Sequence, residues 1–139
     1  MKYLLDTDIC IYYLKGLHNI DQRIKSAGLS TCCISEITVA ELKFGAANSA
    51  QRDKNVQVIQ AFIDLIQVIP IYDCLDFYAD EKSRLRKNGT PLDEFDLIIG
   101  SCAVYYEMIL VTNNEKHFSR INGIRIENWT QQTIDPNEK

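Results

Sequence analysis

Lys2-Tyr3-Leu4-Leu5-Asp6-Thr7-Asp8-Ile9-Cys10-Ile11-Tyr12-Tyr13-Leu14 decides the fold. Its first four residues read as a short apolar strand that runs straight into Asp6 and Thr7, residue types that cap helices. Ile9 to Leu14 then continue as a buried helix. The pattern recurs at Thr31-Cys32-Cys33-Ile34, which meets Ser35-Glu36-Ile37-Thr38. That second junction has the form of a weak capping box, with Thr38 in place of the usual Glu or Gln. The helix it opens carries Ile37, Ala40, Glu41 and Phe44 at three- and four-residue spacing, which predicts one apolar face.

Working outward, Val56, Ile59, Phe62, Ile63 and Ile66 mark one face of a helix over residues 52–67. Residues 68–71 form a short extended segment that Pro70 keeps at an edge or an end. Asp73 is expected to cap a helix running to about Asn88, with Gly89 ending it. A helix with an almost wholly apolar centre follows over 92–107, then the clearest buried strand at 108–112. A helical turn near 115–118 and a last strand near 125–127 complete the order. Short apolar strands alternating with helices, each crossover longer than ten residues, predict an α/β fold. Its form is a three-layer sandwich with a central parallel β-sheet flanked by helices. Residues 1–130 form one domain, and 131–139 read as a disordered tail.

The chain has 139 residues, 19 acidic against 15 basic, for a formal charge of −4. Its 46% hydrophobic and 24% charged residues suit an ordinary globular domain and exclude fibrous or largely disordered classes. No apolar run approaches the ~18–20 residues of a membrane helix, and Asp6 arrives too early for a secretory signal. The acidic balance excludes a nucleic-acid binder that relies on a broadly basic surface. Cys10, Cys32, Cys33, Cys74 and Cys102 show no metal spacing and sit mostly in apolar company. They read as core residues of a protein in a reducing cytoplasm.

In open parallel sheets, ligands bind beyond the carboxyl ends of the strands, so polar residues there matter most. Asp6, Thr7 and Asp8 follow the first strand. Glu41 lies on the helix that follows the second strand, on the same face as Ile37 and Phe44. Asp93, Glu94 and Asp96 open the apolar helix, and Thr112, Asn113 and Asn114 follow the fourth strand. Taken singly, each has an ordinary use as a cap, a first-turn acid, a surface pair or a turn residue. Together they gather acids on one edge without a basic partner, and like charges raise one another's pKa unless a cation offsets them. A hard divalent ion such as Mg2+ or Mn2+ is the simplest offset.

Leu4-Leu5-Asp6-Thr7-Asp8-Ile9-Cys10-Ile11, Ile34-Ser35-Glu36-Ile37-Thr38-Val39-Ala40-Glu41-Leu42 with Phe44-Gly45-Ala46, Phe95-Asp96-Leu97-Ile98-Ile99-Gly100 and Leu110-Val111-Thr112-Asn113-Asn114 stand in that order. The order and spacing resemble a PIN-domain nuclease. The close, His117-Phe118-Ser119-Arg120-Ile121-Asn122-Gly123-Ile124 to Asn128-Trp129, resembles the VapC toxin branch, and the likeness spans residues 2–130. It implies a Mg2+-dependent endoribonuclease, with Mn2+ able to substitute, forming the toxin half of a type II toxin–antitoxin pair. By motif, Asp6, Glu41 and Asp96 are its catalytic, metal-binding carboxylates, with Asn114, Asp8 and Glu115 as further candidate ligands. Asn114 and His117 stand where the family often has acids, and Asp8 where it usually has Asn. Thr7 and Thr112 are candidates to hydrogen-bond the carboxylates or a phosphate oxygen.

The resemblance further implies a small VapB-like antitoxin that points a basic side chain into the acids, a homodimer, a toxin–antitoxin hetero-oligomer and a structured RNA such as tRNA. RNA contact is expected from local charge: Lys82, Arg84, Arg86 and Lys87 on one side, and Lys43, Arg52 and Lys54 on the other side of Glu41. The apolar stretches 9–14 and 59–66 are candidate dimer surfaces, with core packing the stronger use. Two other readings compete. Asp6-Thr7-Asp8 resembles the strand-end motif of haloacid-dehalogenase-type phosphatases, but Ile9-Cys10 follows where Gly-Thr is expected. A catalytically weakened PIN-like module that binds RNA or a partner is the other, motivated by Asn114 and His117. Neutralising Asp6, Asp8, Glu41 and Asp96 with metal would bring the formal charge from −4 to zero.

Overall fold

A computed structural model describes residues 1–131. The first crossover runs β1 (Tyr3–Leu5), α1 (Thr7–Lys15), α2 (Ile20–Ala27) and β2 (Cys32–Ser35). The next pair of helices, α3 (Glu36–Ala47) and α4 (Arg52–Leu65), returns to β3 (Gln67–Ile69). Then come α5 (Leu75–Lys87), α6 (Glu94–Tyr105), β4 (Ile109–Val111), α7 (Glu115–Phe118) and β5 (Ile126–Glu127). The five strands form one sheet in the order β3-β2-β1-β4-β5, and every pair is parallel.

Both faces of this sheet are buried, and the strand pleat decides which side chain goes where. Leu5, Cys32, Ile34 and Val111 point to the face covered by α1 to α4, where they meet Ile9, Ile24, Leu42 and Phe62. Leu4, Cys33 and Leu110 point to the other, where Leu85, Leu97, Cys102 and Phe118 cover them. The three layers expected from the sequence are therefore present. All five cysteines are free and buried, as core residues should be.

Several local expectations need correction. The sequence shows no clear element over Ile20–Ala27, where the structure has α2. Only Ile20 and Ile24 of that helix are buried, too sparse a stripe to show a helical period. On α3 the buried residues are Thr38, Leu42 and Ala46. The stripe through Ala40, Glu41 and Phe44 faces open space instead of the core, and Phe44 is 69% exposed. Asp73 does not cap α5, since it lies in a 3-10 turn (Tyr72–Cys74) and Cys74 occupies the cap without a side-chain bond. Ile9, Cys10, Ile59, Phe62 and Ile66 are spent on the core, the stronger use expected of these stretches, while Ile11, Leu14 and Ile63 are half-buried and Leu65 is exposed. The disordered-tail expectation falls, except for Gln131, outside the described residues. Among the described residues, no helix is long and apolar enough to cross a membrane.

The strand order fixes where a ligand can sit. The chain builds outward from β1 through β2 to β3, then crosses back to β4 on the other side of β1. That reversal leaves a crevice beyond the carboxyl ends of β1 and β4, the usual ligand site of open α/β sheets. Leu5 pairs with Val111, so the residues that follow, Asp6 and Thr112, emerge side by side. The fully buried Leu110 anchors this central pair. Leu110→Ala should cost about 2–5 kcal/mol of stability in urea unfolding, whereas a loss below about 1 kcal/mol would contradict the packing described.

Candidate active site

Asp6 is both the cap of α1 and the deepest carboxylate of the crevice, only 5% exposed. Its Oδ1 accepts the Thr7 backbone N–H at 2.8 Å, as an N-cap side chain does. Its Oδ2 accepts the Thr112 hydroxyl at 2.8 Å, and that hydroxyl oxygen in turn accepts the Asn114 N–H at 3.0 Å. On the other side, Thr7 Oγ1 donates to Glu41 Oε1 at 2.7 Å and lies 3.1 Å from Thr38 Oγ1. Three strand-end segments are thereby linked through hydroxyls into one polar chain running Asn114–Thr112–Asp6–Thr7–Glu41.

Glu41 reaches this chain because α3 starts immediately after β2. Ser35 Oγ accepts the Thr38 N–H at 3.2 Å and sets the phase of that helix. Asp96 arrives from the opposite wall. It stands in the first turn of α6, and Asp93 caps that helix by accepting the Asp96 N–H at 3.4 Å. Asp6, Asp8, Glu41, Asp96 and Asn114 line one cavity of about 740 Å³, together with Thr7, Ile11, Ala40, Phe44 and Phe95.

The electrostatics are those of acids short of a counter-charge. Burial pushes the Asp6 carboxyl from its ordinary 3.8 up to about 7, against the opposing hydrogen bonds from Thr112 and Thr7, with Asp96 and Asp8 adding to the rise. Asp96 is pushed up to about 6, first by burial and then by Asp93 and Glu41, while His117 lowers it. His117, which the sequence shows only as a position where the family often has an acid, thus acts on Asp96 as a basic group. It hydrogen-bonds Asn114 through Nδ1, 2.9 Å from Asn114 Nδ2, so the departure at both positions is one linked pair. Among the described residues, no three Asp, Glu, His or Cys side chains close on a single ion as they lie. The cavity therefore offers hard oxygen donors, spread around its wall, with water space between them.

Other expected residues lie elsewhere. Glu115 is exposed outside the cavity, with its Oε2 accepting from Asn128 at 3.5 Å. Arg84 is committed to a bidentate pair with the buried Glu81 and also donates to the Arg120 carbonyl at 2.7 Å. Glu81 accepts the Asn122 N–H as well, so this group ties α5 to the turn after α7. Lys82 pairs with Glu94 at 2.8 Å. Arg86, Lys87 and Lys43 are exposed and lack ion pairs among the described residues.

Comparisons with known proteins identify the family. The PIN domain family pattern matches residues 3–124. The chain is 33% identical over 130 residues to the tRNA(fMet)-specific endonuclease VapC of Salmonella typhimurium, covering 93% of this chain and 98% of that relative. It is 35% identical over 132 residues to Ribonuclease VapC2 of Haemophilus influenzae, with coverage of 93% and 98%. The solved structure of DNA-bound VapBC from Salmonella typhimurium matches with a TM-score of 0.87 at 34% identity, covering 93% of this chain and 98% of that one. A family pattern over most of the length, relatives above 30% identity across nearly all of it, and acids gathered at the sheet's switch point lead to one conclusion: the chain belongs to the PIN domain family, among the VapC ribonucleases.

Proposed function

We propose that this chain is a Mg2+-dependent endoribonuclease, the toxin component of a type II toxin–antitoxin pair. The observation that carries the metal is the placement of Asp6, Glu41 and Asp96 around one cavity, with Asp6 pushed up to about 7 and Asp96 to about 6 by burial and neighbouring acids. A carboxylate kept protonated near neutral pH by burial and by like charges gains its ionised form when a cation arrives. Mg2+ is commonly held by one or two carboxylates with water completing its shell, so dispersed oxygen donors suit it, and Mn2+ fits the same donors. When bound, the ion supplies Lewis acidity to the phosphodiester and acidifies a water for attack.

The chain's own residues do the rest. Asp6 and Asp96 would hold the ion, and Asp8, which lines the same cavity, would add charge to it. Thr7 and Thr112 fix the two Asp6 oxygens and, through Thr7 Oγ1, Glu41 Oε1, which leaves Glu41 Oε2 to orient water. Asn114 contributes an amide where an acid would raise the charge further. This favours a weakened, non-cleaving module as the second reading.

Relatives named for tRNA(fMet) support a structured RNA such as tRNA as substrate. Similar VapBC complexes support a VapB-like antitoxin and a toxin–antitoxin hetero-oligomer; the homodimer that the resemblance implies is part of the same proposal. Five free thiols suit the reducing cytoplasm. Of the basic residues expected to track phosphates, Arg86, Lys87 and Lys43 lack ion pairs among the described residues, whereas Arg84 serves the fold.

Asp96→Asn should abolish RNA cleavage in Mg2+ while the far-ultraviolet spectrum stays native; cleavage at the wild-type rate would refute the role. Thr112→Val should weaken Mn2+ binding roughly 10- to 100-fold, as loss of a ligand's supporting hydrogen bond does, and an unchanged titration would contradict this. pH gives an independent check. The Asp6 carboxyl holds its proton to about pH 7 in the fold and only to about 3.8 when unfolded, so its contribution to stability falls as pH rises through that window. Metal-free protein should thus lose melting temperature between pH 5.5 and pH 8, and Mg2+ should restore more of it at pH 8 than at 5.5. Equal Mg2+ effects at both would overturn the site.

A further inference from the structure

Among the described residues, several large hydrophobic side chains are exposed, but only Phe44 and Phe95 among them line the cavity that holds the acids. They come from two different helices, α3 and α6. Phe44 follows Glu41 by three residues, so it sits on the same face of α3 about one turn along. Phe95 immediately precedes Asp96 in the first turn of α6. Phe44 is 69% and Phe95 45% exposed, and neither has an aromatic neighbour among the described ring pairs. Single exposed hydrophobics are common on protein surfaces. A pair of rings that each sit within a turn of a candidate metal-binding carboxylate is not a scatter of that kind.

From this placement we infer that Phe44 and Phe95 are stacking platforms for the bases on either side of the phosphodiester that is cut. The inference rests on the ribonuclease reading and names how that site holds its substrate. Charge alone is poorly suited to the task. The formal charge is −4, the cavity wall is acidic, and Lys82 and Arg84 are already paired with Glu94 and Glu81. Base–aromatic stacking needs no counter-charge and tolerates every base. It also requires bases that are free to leave their own stack, so the nucleotides at the cut are unpaired ones of a loop, bulge or single strand. Phosphate contacts from Arg86, Lys87 and Lys43 would then act on the flanks.

Leucine and tryptophan variants at each position test this, because leucine keeps apolar bulk without a ring and both side chains are exposed. Steady-state cleavage of total tRNA in Mn2+ is measured alongside Mn2+ titration. Phe44→Leu and Phe95→Leu should each raise KM roughly 5- to 150-fold, with kcat and Mn2+ affinity near wild type, and Phe44→Trp and Phe95→Trp should restore KM. Leucine variants with wild-type KM would overturn the inference and assign the rings to a protein partner. Tryptophan variants as weak as the leucine ones would also overturn it. Wild-type protein that binds Mn2+ yet cuts no RNA would refute the ribonuclease reading itself, and with it the role of the rings.

Discussion

Everything at this site depends on one carboxylate being forced out of water. Asp6 ends β1, caps α1 and lies beside Thr112 because Leu5 and Val111 are in register at the centre of the sheet. Its position is therefore set by backbone pairing, and its burial is a consequence of the two helical layers closing over that edge. Two hydrogen bonds offset only part of the desolvation. A buried carboxylate without a positive partner destabilises the fold in its ionised form. The fold tolerates it here because the proton stays on, and a cation can take the proton's place.

The remaining acids are arranged by the same device used three times: a buried strand or loop delivers the chain to a helix N-terminus, where a polar side chain caps it. Asp6 caps α1, Ser35 caps α3 and Asp93 caps α6. Each cap sets the phase of a helix, and the phase aims Asp8, Glu41 or Asp96 at the common crevice. Local capping and the cavity's chemistry are thus one construction, and weakening a cap would misaim an acid as well as fray a helix.

That construction explains what was legible in the sequence. The strand-end acids could be placed because parallel strands bring their carboxyl ends together whatever the loops do. Phe44 was misread because a stripe of Ile37, Ala40 and Phe44 has the same period whether it meets a core or a cavity. α3 instead buries Thr38, Leu42 and Ala46, a stripe whose polar Thr38 is used beside the Thr7 hydroxyl. Arg84 reads as part of a basic rim although Glu81, three residues before it, is within helical reach; the burial of Glu81 and the Arg120 carbonyl are what helical spacing cannot show. His117 was noted only as a missing acid, since its relation to Asp96 depends on how the chain turns after β4. Net charge was similarly blind. The same −4 that argues against a broad electrostatic clamp is what an acidic, metal-seeking cavity contributes to the total.

The central claim is that burial and like charge leave Asp6 waiting for a cation. Carbon-detected NMR titration of the Asp6 side-chain carboxyl, without and with saturating Mg2+, measures this directly. The account predicts a midpoint near pH 7 in the metal-free protein and its disappearance from the range above about pH 5 once Mg2+ is present. A midpoint near the ordinary carboxylate value in both samples would contradict it.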